Sequence, residues 1–393
     1  MRAGPLVGVK VVEFAGLAPA PFACMLLADL GADVIRVDRA LAGPDGPVPA
    51  PPAVATDILG RGRRSVAVDL KADAGRELVL ALVGEADVLV EGFRPGVMER
   101  LGLGPDVCLG RNPGLVYGRL TGWGQDGPLA SAAGHDINYI ALSSALGLIG
   151  RPGEPPVPPV NIVGDFAGGG LLLAFGVLAA LHERTASGRG QVVDAAMVDG
   201  AALFTTIIRG LADAGAWTHE RGTNVVDGGR PYYDTYTTAD GGCVAVGAIE
   251  RQFYGELLDR LDLDLDPAAQ DDPASWPDTR DVIAARFRQR TRDEWAADLE
   301  TTDACVAPVL SLDEAPRHPH ARARSAFIEI DGVMQAAPAP RFSRTPASRP
   351  TSPPAWGGGG RRALEGWALP DAVVAKAVAA GAVVEPSVPT AVG

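Results

Sequence analysis

The sequence predicts an α/β protein with a large domain built on a parallel β-sheet and a smaller α+β domain. In the first 120 residues, short runs of β-branched residues alternate with helical stretches, which is typical of a parallel sheet with helical crossovers. The length of 393 residues exceeds that of one ordinary core. The composition changes after about Thr223, where a Gly/Tyr-rich loop is followed by charged helical stretches. Two domains are therefore expected.

The elements of the large domain are expected in regular alternation. Strands are predicted where β-branched residues cluster, at 9–15, 34–38, 88–90, 115–120 and 191–198. Helices are predicted between them and after them, at 21–30, 75–84, 95–101, 137–148 and 166–183. This order indicates a doubly wound, Rossmann-like sheet with helices on both faces.

The predicted domain boundaries follow the change in composition. The large domain with its linker helices is expected to span residues 1–222, and the small domain residues 223–335. The small domain has a hairpin signal at 240–242 and charged helical stretches across 281–300. Residues 336–393 are rich in Pro and Gly, and we expect them to return to the large domain and to include a helix at 370–380.

Composition and charge narrow the class of protein. A net charge of −13 argues against nucleic acid or an anionic membrane as the main partner. The four cysteines lie far apart without metal or redox spacing, so we expect reduced thiols in a cytoplasmic protein without a metal. The longest apolar run, 168–181, is too short for a membrane span. The amino terminus runs into a strand without the pattern of a signal peptide.

Cationic side chains concentrate in the first hundred residues and are candidates for binding phosphate groups. The chain has only three lysines, and the clusters comprise Arg36 and Arg39, then Arg61, Arg63 and Arg64 with Lys71, and then Arg94 with Arg100. A ligand with several phosphates would suit them; each arginine alone could equally be a solvated surface charge. The turn after the first predicted strand lacks G-x-G-x-x-G, which disfavours a dinucleotide cofactor.

Three residues are candidates for acid–base chemistry. His135 follows a glycine at a predicted helix start, where it either exchanges a proton near neutral pH or is simply a capping residue. Asp165 is expected at the N-cap of the helix at 166–183, where a carboxylate is ordinarily structural. Glu250 is expected at a strand-to-helix junction, where it either orients His135 or caps the following helix.

The glycines at 168–170 lie in the first turns of the same apolar helix. Each is locally unfavourable in a helix by about 1 kcal/mol relative to alanine. We expect that the backbone there approaches a ligand closely, and that its free N–H groups stabilise an oxyanion.

These segments together resemble one enzyme family. The stretches that carry the resemblance include GLAPAPFACMLLADLGADVIRVDR, VEGFRPGVMERLGLGP, TGWGQDGP, GHDINYIALSSALGLIG, NIVGDFAGGG, GQVVDAAMVDG, GGRPYYDTYTTADG and VAVGAIERQFY. They are similar to the α-methylacyl-CoA racemases of the class III CoA-transferase superfamily, over the chain up to about Phe342. The tail beyond Arg344 falls outside the resemblance and is assigned no function.

The resemblance implies an activity and roles for named residues. It implies exchange of the α-proton of a 2-methylacyl-CoA by His135 and Asp165, with Glu250 hydrogen-bonded to the histidine. The implied CoA contacts are Arg39, Val68, Asp69, Leu70, Lys71, Gly92, Phe93, Arg94, Arg100, Gly134, Asp136, Ile137, Asn138 and Tyr139. It also implies an interlocked homodimer, in which Glu250 acts within its own subunit or from the partner, and no cofactor besides the CoA of the substrate.

A class III CoA-transferase is the alternative. There the aspartate at position 165 would attack the thioester as a nucleophile, and no histidine base would be needed opposite it. The pairing of His135 with Glu250 favours the racemase.

Overall fold

A computed structural model describes residues 2–40 and 57–385 of the chain. The chain divides into two compact units, each described here by itself. The first unit comprises Met1–Ser143, Val160–Phe204 and Ala323–Gly393, and the second comprises Ser144–Pro159 and Thr205–Arg322. These bounds differ from the predicted division at 222/223 and 335/336, because 144–159 and 205–222 group with the second unit and 323–335 with the first.

The first unit is built on a seven-stranded sheet, which confirms the predicted α/β class. Numbered in chain order, its strands are β1 Lys10–Phe14, β2 Asp33–Arg39, β3 Arg64–Val68, β4 Val88–Glu91, β5 Val116–Thr121, β6 Val192–Ala196 and β12 Val383–Val384. The strand order is β12-β3-β2-β1-β4-β5-β6, and all neighbours are parallel except the edge pair β12–β3. The strand order reverses at β1, so a crevice is expected at the carboxyl ends of β1 and β4.

Helices cover both faces of this sheet. They are α1 Pro19–Asp29, α2 Asp73–Glu85, α3 Val97–Arg100, α4 Pro105–Arg111, α5 Asp136–Leu142, α6 Leu172–Ser187, α7 Met197–Leu203 and α13 Asp371–Ala379. One core contains Leu78 and Leu82 of α2 with Trp367 of the carboxyl-terminal segment, residues 336–385. The other contains Leu27 of α1 and Val177 of α6. Burial of these apolar side chains on both faces makes the parallel sheet the centre of the unit.

Strand β3 was missed by the sequence analysis, because its first residues were interpreted as part of a cationic cluster. In the structure the arginines of this region pair with acids of the same unit. The distances are 2.9 Å from Arg36 Nε to Asp38 Oδ1, 2.5 Å from Arg61 Nη2 to Asp29 Oδ2, 2.7 Å from Arg63 Nη1 to Glu13 Oε1 and 2.6 Å from Arg64 Nη2 to Asp33 Oδ2. The hypothesis that Arg36, Arg61, Arg63 and Arg64 bind phosphate is therefore wrong, since their charges are neutralised within the fold.

The long apolar helix begins earlier than predicted. A π-helical segment, Ile162–Leu171, runs directly into α6, so the helical stretch is 26 residues long. By length and composition this stretch could cross a membrane, contrary to the expectation that no apolar run is long enough. Its Leu173 and Val177 side chains are buried in the core of the first unit, as in a core helix of a folded domain.

The second unit is an α+β assembly with its own core. A three-stranded antiparallel sheet has the order β7-β8-β9, and the hairpin predicted at 240–242 is confirmed between β7 and β8. The elements are β7 Tyr233–Thr237, β8 Cys243–Gly247, β9 Val306–Pro308, α8 Thr206–Asp213, α9 Arg251–Arg260, α10 Trp276–Phe287, α11 Arg292–Leu299 and most of α12 Pro319–Ala323. Phe287 and Trp295 are buried at its centre.

The carboxyl-terminal segment packs on the first unit. After the hairpin of β10 Phe327–Ile330 and β11 Val333–Ala336, the chain reaches Trp367, whose indole N–H donates to Asp33 Oδ2 at 2.9 Å. Helix α13 matches the helix predicted at 370–380, and β12 then joins the sheet edge beside β3. Residues 386–393 of the predicted return segment lie outside the described residues.

Candidate active site

A cavity of about 540 Å³ lies at the carboxyl ends of β1, β4 and β5 in the first unit. Loops after these three strands line it, and so do His135, Tyr139 and Asp165. The two residues predicted to exchange a proton are thus brought to one cavity, at the crevice where the strand order reverses.

His135 is positioned by the start of helix α5. It is the N-cap residue, with extended backbone angles and an exposed imidazole. Its backbone N–H donates to the Asn138 side-chain oxygen at 3.0 Å, which fixes the turn that carries the imidazole. The backbone of His135 is therefore fixed, and its exposed imidazole can contact a substrate in the cavity.

Asp165 lies inside the π-helical segment, so the predicted N-cap position is wrong. The N-cap residue is Asn161, and its side-chain amide donates to Asp165 Oδ2 at 3.0 Å. Burial raises the pKa of Asp165 above its ordinary value, and repulsion from the Asp136 carboxylate adds to the rise. The Asn161 hydrogen bond and the nearby His135 act in the opposite direction, lowering this pKa. A π-helical turn at such a position is a common feature of functional sites.

Asp136 has a role that the sequence analysis missed. Its side chain is buried, and Oδ2 accepts hydrogen bonds from the backbone N–H groups of Gly164 at 2.6 Å and Asp165 at 2.7 Å. One carboxylate thus ties the residue after His135 to the segment that carries Asp165. The implied contact of Asp136 with CoA does not fit a buried carboxylate that already holds two backbone donors. The signal was present, since an acid after the histidine can cap a neighbouring helix as readily as it can bind a ligand.

The expectation for the glycines at 168–170 is also wrong. A Cβ atom at Gly168 would lie 2.8 Å from the Ala201 nitrogen, and one at Gly170 would lie 2.5 Å from the Pro19 oxygen. These glycines let the π-helical segment pack closely on α7 and α1 rather than on a ligand. Its first N–H groups, at Gly164 and Asp165, are taken by Asp136 and are not available to an oxyanion.

Tyr139 is part of an aromatic pair at the cavity wall. Its ring packs edge-on against Trp123 with centroids 4.8 Å apart, and its hydroxyl donates to the Gly134 oxygen at 2.5 Å. Trp123 was not predicted, although it lies in the TGWGQDGP segment of the resemblance. Of the other implied CoA contacts nearby, Gly134 lines the cavity, whereas the exposed Ile137 and Asn138 do not.

The loop after β4 is fixed by hydrogen bonds to a buried acid. Glu91 Oε2 accepts from the Phe93 N–H at 2.7 Å, and Glu91 Oε1 accepts from Arg119 Nε at 2.8 Å. Gly92, Phe93 and the exposed Arg94 therefore line the cavity in one fixed arrangement.

A second cavity, of about 590 Å³, lies at the carboxyl ends of β1, β2 and β3. Phe93 lines both cavities, so the two are neighbours. The second contains the other implied CoA contacts from this edge of the sheet, namely Arg39, Val68, Asp69, Leu70 and Lys71. Arg100 is exposed at the end of α3 and lines neither of these two cavities.

Glu250 lies in the second unit, at the N-cap of α9. Its side chain is exposed and makes no capping hydrogen bond. The alternative prediction, that the Glu250 carboxylate caps the following helix, is therefore wrong. The carboxylate therefore keeps its capacity to accept a hydrogen bond, and its pairing with His135 stays a prediction.

The four cysteines carry free thiols. Cys24 and Cys108 are buried, and burial raises the pKa of Cys108 to about 12, which keeps that thiol protonated and unreactive. The described residues, 2–40 and 57–385, contain no group of three or more His, Cys, Asp or Glu side chains arranged to hold a metal ion.

Comparison with known proteins identifies relatives of this chain. The profile of CoA-transferase family III matches residues 6–359. Proteins named α-methylacyl-CoA racemase are 49% identical over 345 residues in Mus musculus and 45% identical over 346 residues in Homo sapiens, covering 87% of each chain in both cases. A CAIB/BAIF family protein from Brucella suis superposes with a TM-score of 0.77 at 27% identity, covering 90% of this chain and 97% of that one.

Proposed function

The chain belongs to CoA-transferase family III, and from this premise we propose that it is an α-methylacyl-CoA racemase that uses His135 and Asp165 as its two acid–base groups. The single observation that supports this assignment of residues is one cavity, lined by an imidazole and by a carboxylate, at the crevice of the sheet.

The reaction needs one proton removed from C2 of the acyl group and one returned to the opposite face. One base takes the C2 proton, and the electrons of the broken C–H bond move into the thioester as a planar enolate. The protonated partner then delivers its proton to the other face of C2. The pair holds one proton before and after each turnover and two while the enolate exists, so either enantiomer can enter, and the proposed step requires no metal or organic cofactor.

The surroundings of Asp165 suit such an exchange. A carboxyl with an ordinary pKa is a poor proton donor near neutral pH, because it is almost fully ionised there. Burial and the neighbouring Asp136 raise the pKa of Asp165, and this brings its proton-bound form closer to working pH.

The CoA portion is proposed to occupy the second cavity and to reach the acid–base pair across Phe93. Arg39 and Lys71 are both exposed and lie on that cavity, where they would meet the phosphates. The acyl-thioester end would then enter the cavity of His135 and Asp165 beside Arg94.

We further propose a homodimer in the cytoplasm. Each unit presents apolar side chains to solvent on a helix: Phe175 of α6 is 68% exposed, and Ile207 of α8 is 71% exposed. Apolar surface of this kind is typical of a subunit interface. The free thiols suit a reducing compartment.

The alternative of a CoA-transferase uses Asp165 as a nucleophile toward the thioester carbonyl. A protein named succinyl-CoA–D-citramalate CoA-transferase from Chloroflexus aurantiacus is 30% identical over 372 residues, well below the identity to the racemases. His135 in the same cavity as Asp165 favours proton exchange, because acyl transfer to the aspartate has no need of that imidazole.

The test is exchange of the α-hydrogen in heavy water. With an (S)-2-methylacyl-CoA as sole substrate and no acceptor acid, the protein should incorporate one deuterium at C2 and yield the racemic mixture, as read by mass spectrometry and chiral chromatography. If no deuterium appears at C2 and CoA is instead transferred to an added carboxylate, the protein is a transferase.

The matched variants are His135→Ala and Asp165→Asn, with His219→Ala as the control. Both cavity variants should lose racemisation by at least about 100-fold, which is the lower range for one general acid–base group. Binding of the CoA thioester should stay within a factor of a few. His219 is exposed in the second unit, and its variant should keep full activity. Full racemisation by His135→Ala would refute the assigned role.

A further inference from the structure

The carboxyl-terminal segment forms one wall of the second cavity. Trp356 and Gly381 line that cavity together with the ends of β2 and β3. The remaining wall is largely apolar, with side chains of Phe14, Val37, Leu70, Phe93, Val97 and Leu101. Trp356 lies near the end of the stretch 6–359 that the family profile matches, and Gly381 lies beyond it, so residues well after the predicted limit of the resemblance at Phe342 are part of the candidate substrate site.

Buried hydrogen bonds fix this segment to the sheet. The Gly357 N–H lies 3.0 Å from Asp38 Oδ2 and 2.7 Å from Ser65 Oγ, and both acceptors are buried. Gly357 has a φ of +62°, and a Cβ atom there would lie 2.6 Å from the Ala67 Cβ, so this close contact requires glycine. The residue next to Trp356 is therefore anchored between β2 and β3.

The indole of Trp356 is held in one orientation. Its Nε1–H donates to the Arg39 backbone oxygen at 3.0 Å, and the Arg36 guanidinium lies over the ring, 6.0 Å from its centroid. Arg36 is itself fixed by ion pairs of 2.9 Å to Asp38 and 3.0 Å to Asp57. Trp356 is still 37% exposed and lines the cavity, so a preorganised aromatic side chain is available there.

The charges around the ring indicate the class of ligand. Arg39 and Lys71 are exposed and line the cavity, and neither side chain forms an ion pair with the residues that the structure describes. By contrast, Arg36, Arg61, Arg63 and Arg64 of the same region are all neutralised by acids. Asp69 also lines the cavity, and its carboxylate accepts from the Lys71 backbone N–H at 2.9 Å rather than pairing with the Lys71 side chain. Two cations without an ion-pair partner among the described residues, beside an apolar wall with a fixed indole, suit a nucleotide, whose phosphates are anionic and whose base is a flat aromatic ring.

We propose that Trp356 packs against the adenine base of the CoA substrate, and that the carboxyl-terminal segment is a specificity wall of the CoA site. This inference rests on the proposed function for the identity of the ligand. The indole contacts only the nucleotide end, so it acts on substrate affinity and not on the proton transfer beyond Phe93.

The experiment compares full CoA thioesters with truncated ones. Trp356→Ala should raise the KM of a 2-methylacyl-CoA by roughly tenfold, within the range for stacking of one base on an aromatic side chain, and leave kcat within a factor of two. The corresponding pantetheine thioester has no base, so its kcat/KM should be the same in the wild type and the variant. Trp356→Phe should keep most of the affinity for CoA.

Trp367→Phe is the matched control, because it changes a tryptophan of the same segment that does not line the cavity. It should lower stability through loss of the bond to Asp33 and should not change the preference for CoA over pantetheine. If the two tryptophan variants affect CoA and pantetheine thioesters equally, the proposal is overturned.

A binding measurement separates this proposal from the function itself. Adenosine 3′,5′-bisphosphate should quench tryptophan fluorescence of the wild type, and Trp356→Phe should abolish most of that quenching even if the protein catalyses no racemisation. Quenching that is unchanged in Trp356→Phe overturns the role of Trp356, whatever the outcome of deuterium exchange.

Discussion

At the scale of single residues, the candidate site depends on one buried acid beside the histidine. Asp136 Oδ2 holds the N–H groups of Gly164 and Asp165, so the segments that carry the two acid–base groups are joined through one carboxylate. The same negative charge raises the pKa of Asp165. One side chain therefore positions its neighbour and adds to the rise in its pKa that burial causes.

The pKa of Asp165 gives a prediction for Asn161→Ala. Asn161 donates to the Asp165 carboxylate and so favours its charged form, and removal of this bond should raise the pKa of Asp165 further. The pair must hold one proton, so protonation of Asp165 while His135 is also protonated stops the reaction. The acidic limb of kcat/KM against pH should therefore move to higher pH in both directions of racemisation.

The control for that pH profile is Asn138→Ala. Asn138 accepts from the His135 backbone rather than donating to Asp165, so its loss should lower activity without moving the acidic limb. If the acidic limb of kcat/KM stays in place or moves to lower pH in Asn161→Ala, the limb does not report the protonation of Asp165, and the assignment is contradicted.

Which residues could be predicted depends on where their partners lie in the chain. His135 and Asp165 stand in distinctive local segments, and one cavity does contain both. Arg61 and Arg63 were misjudged because their partners, Asp29 and Glu13, are 32 and 50 residues away and become neighbours only in the folded sheet. Local sequence contains no signal for such a pairing.

At the scale of elements, the π-helical segment and α7 pack backbone to backbone. A Cβ atom at Gly200 would lie 1.9 Å from the Gly168 oxygen, which leaves no room for any side chain. The glycines of the sequence thus indicated a close approach correctly, but the approaching group is the neighbouring helix. Periodicity cannot distinguish the two cases, because both require the same absence of a side chain.

Gly200→Ala should therefore separate the two elements. Overpacking of this kind typically destabilises by about 1–3 kcal/mol, and the displaced segment carries Asp165, so racemisation should fall as well. Gly110→Ala in α4 is the control, because a Cβ atom there meets nothing within 4 Å, and alanine should stabilise the helix by up to about 1 kcal/mol. Urea denaturation of both variants checks the difference, and equal stability of the two would show that the packing is not tight.

At the scale of the whole molecule, the alternation of strands and helices was sufficient to predict the parallel sheet, since it follows from local patterns, whereas the crevice follows from the strand order seen in the structure. The missing strand β3 and the edge strand β12 were not predictable in this way. The former begins with a charged residue, and the latter consists of two residues that pair only after the chain has returned from the far end of the sequence. The return of the carboxyl-terminal part of the chain to the sheet therefore determines which residues line the second cavity.

The last prediction concerns Glu250 and the proposed dimer. If Glu250 orients the histidine of the other subunit, a heterodimer of one His135→Ala chain and one Glu250→Ala chain contains one site with both residues intact. If Glu250 acts within its own subunit, both sites of that heterodimer are defective. Two differently tagged chains, coexpressed and purified through both tags, should therefore regain about half of the wild-type deuterium exchange in the first case, although each homodimer is impaired. The exposed carboxylate of Glu250 and the exposed apolar faces of α6 and α8 favour this outcome. Activity no higher than that of the two parent homodimers would assign Glu250 to its own subunit, and failure to isolate any doubly tagged species would overturn the dimer.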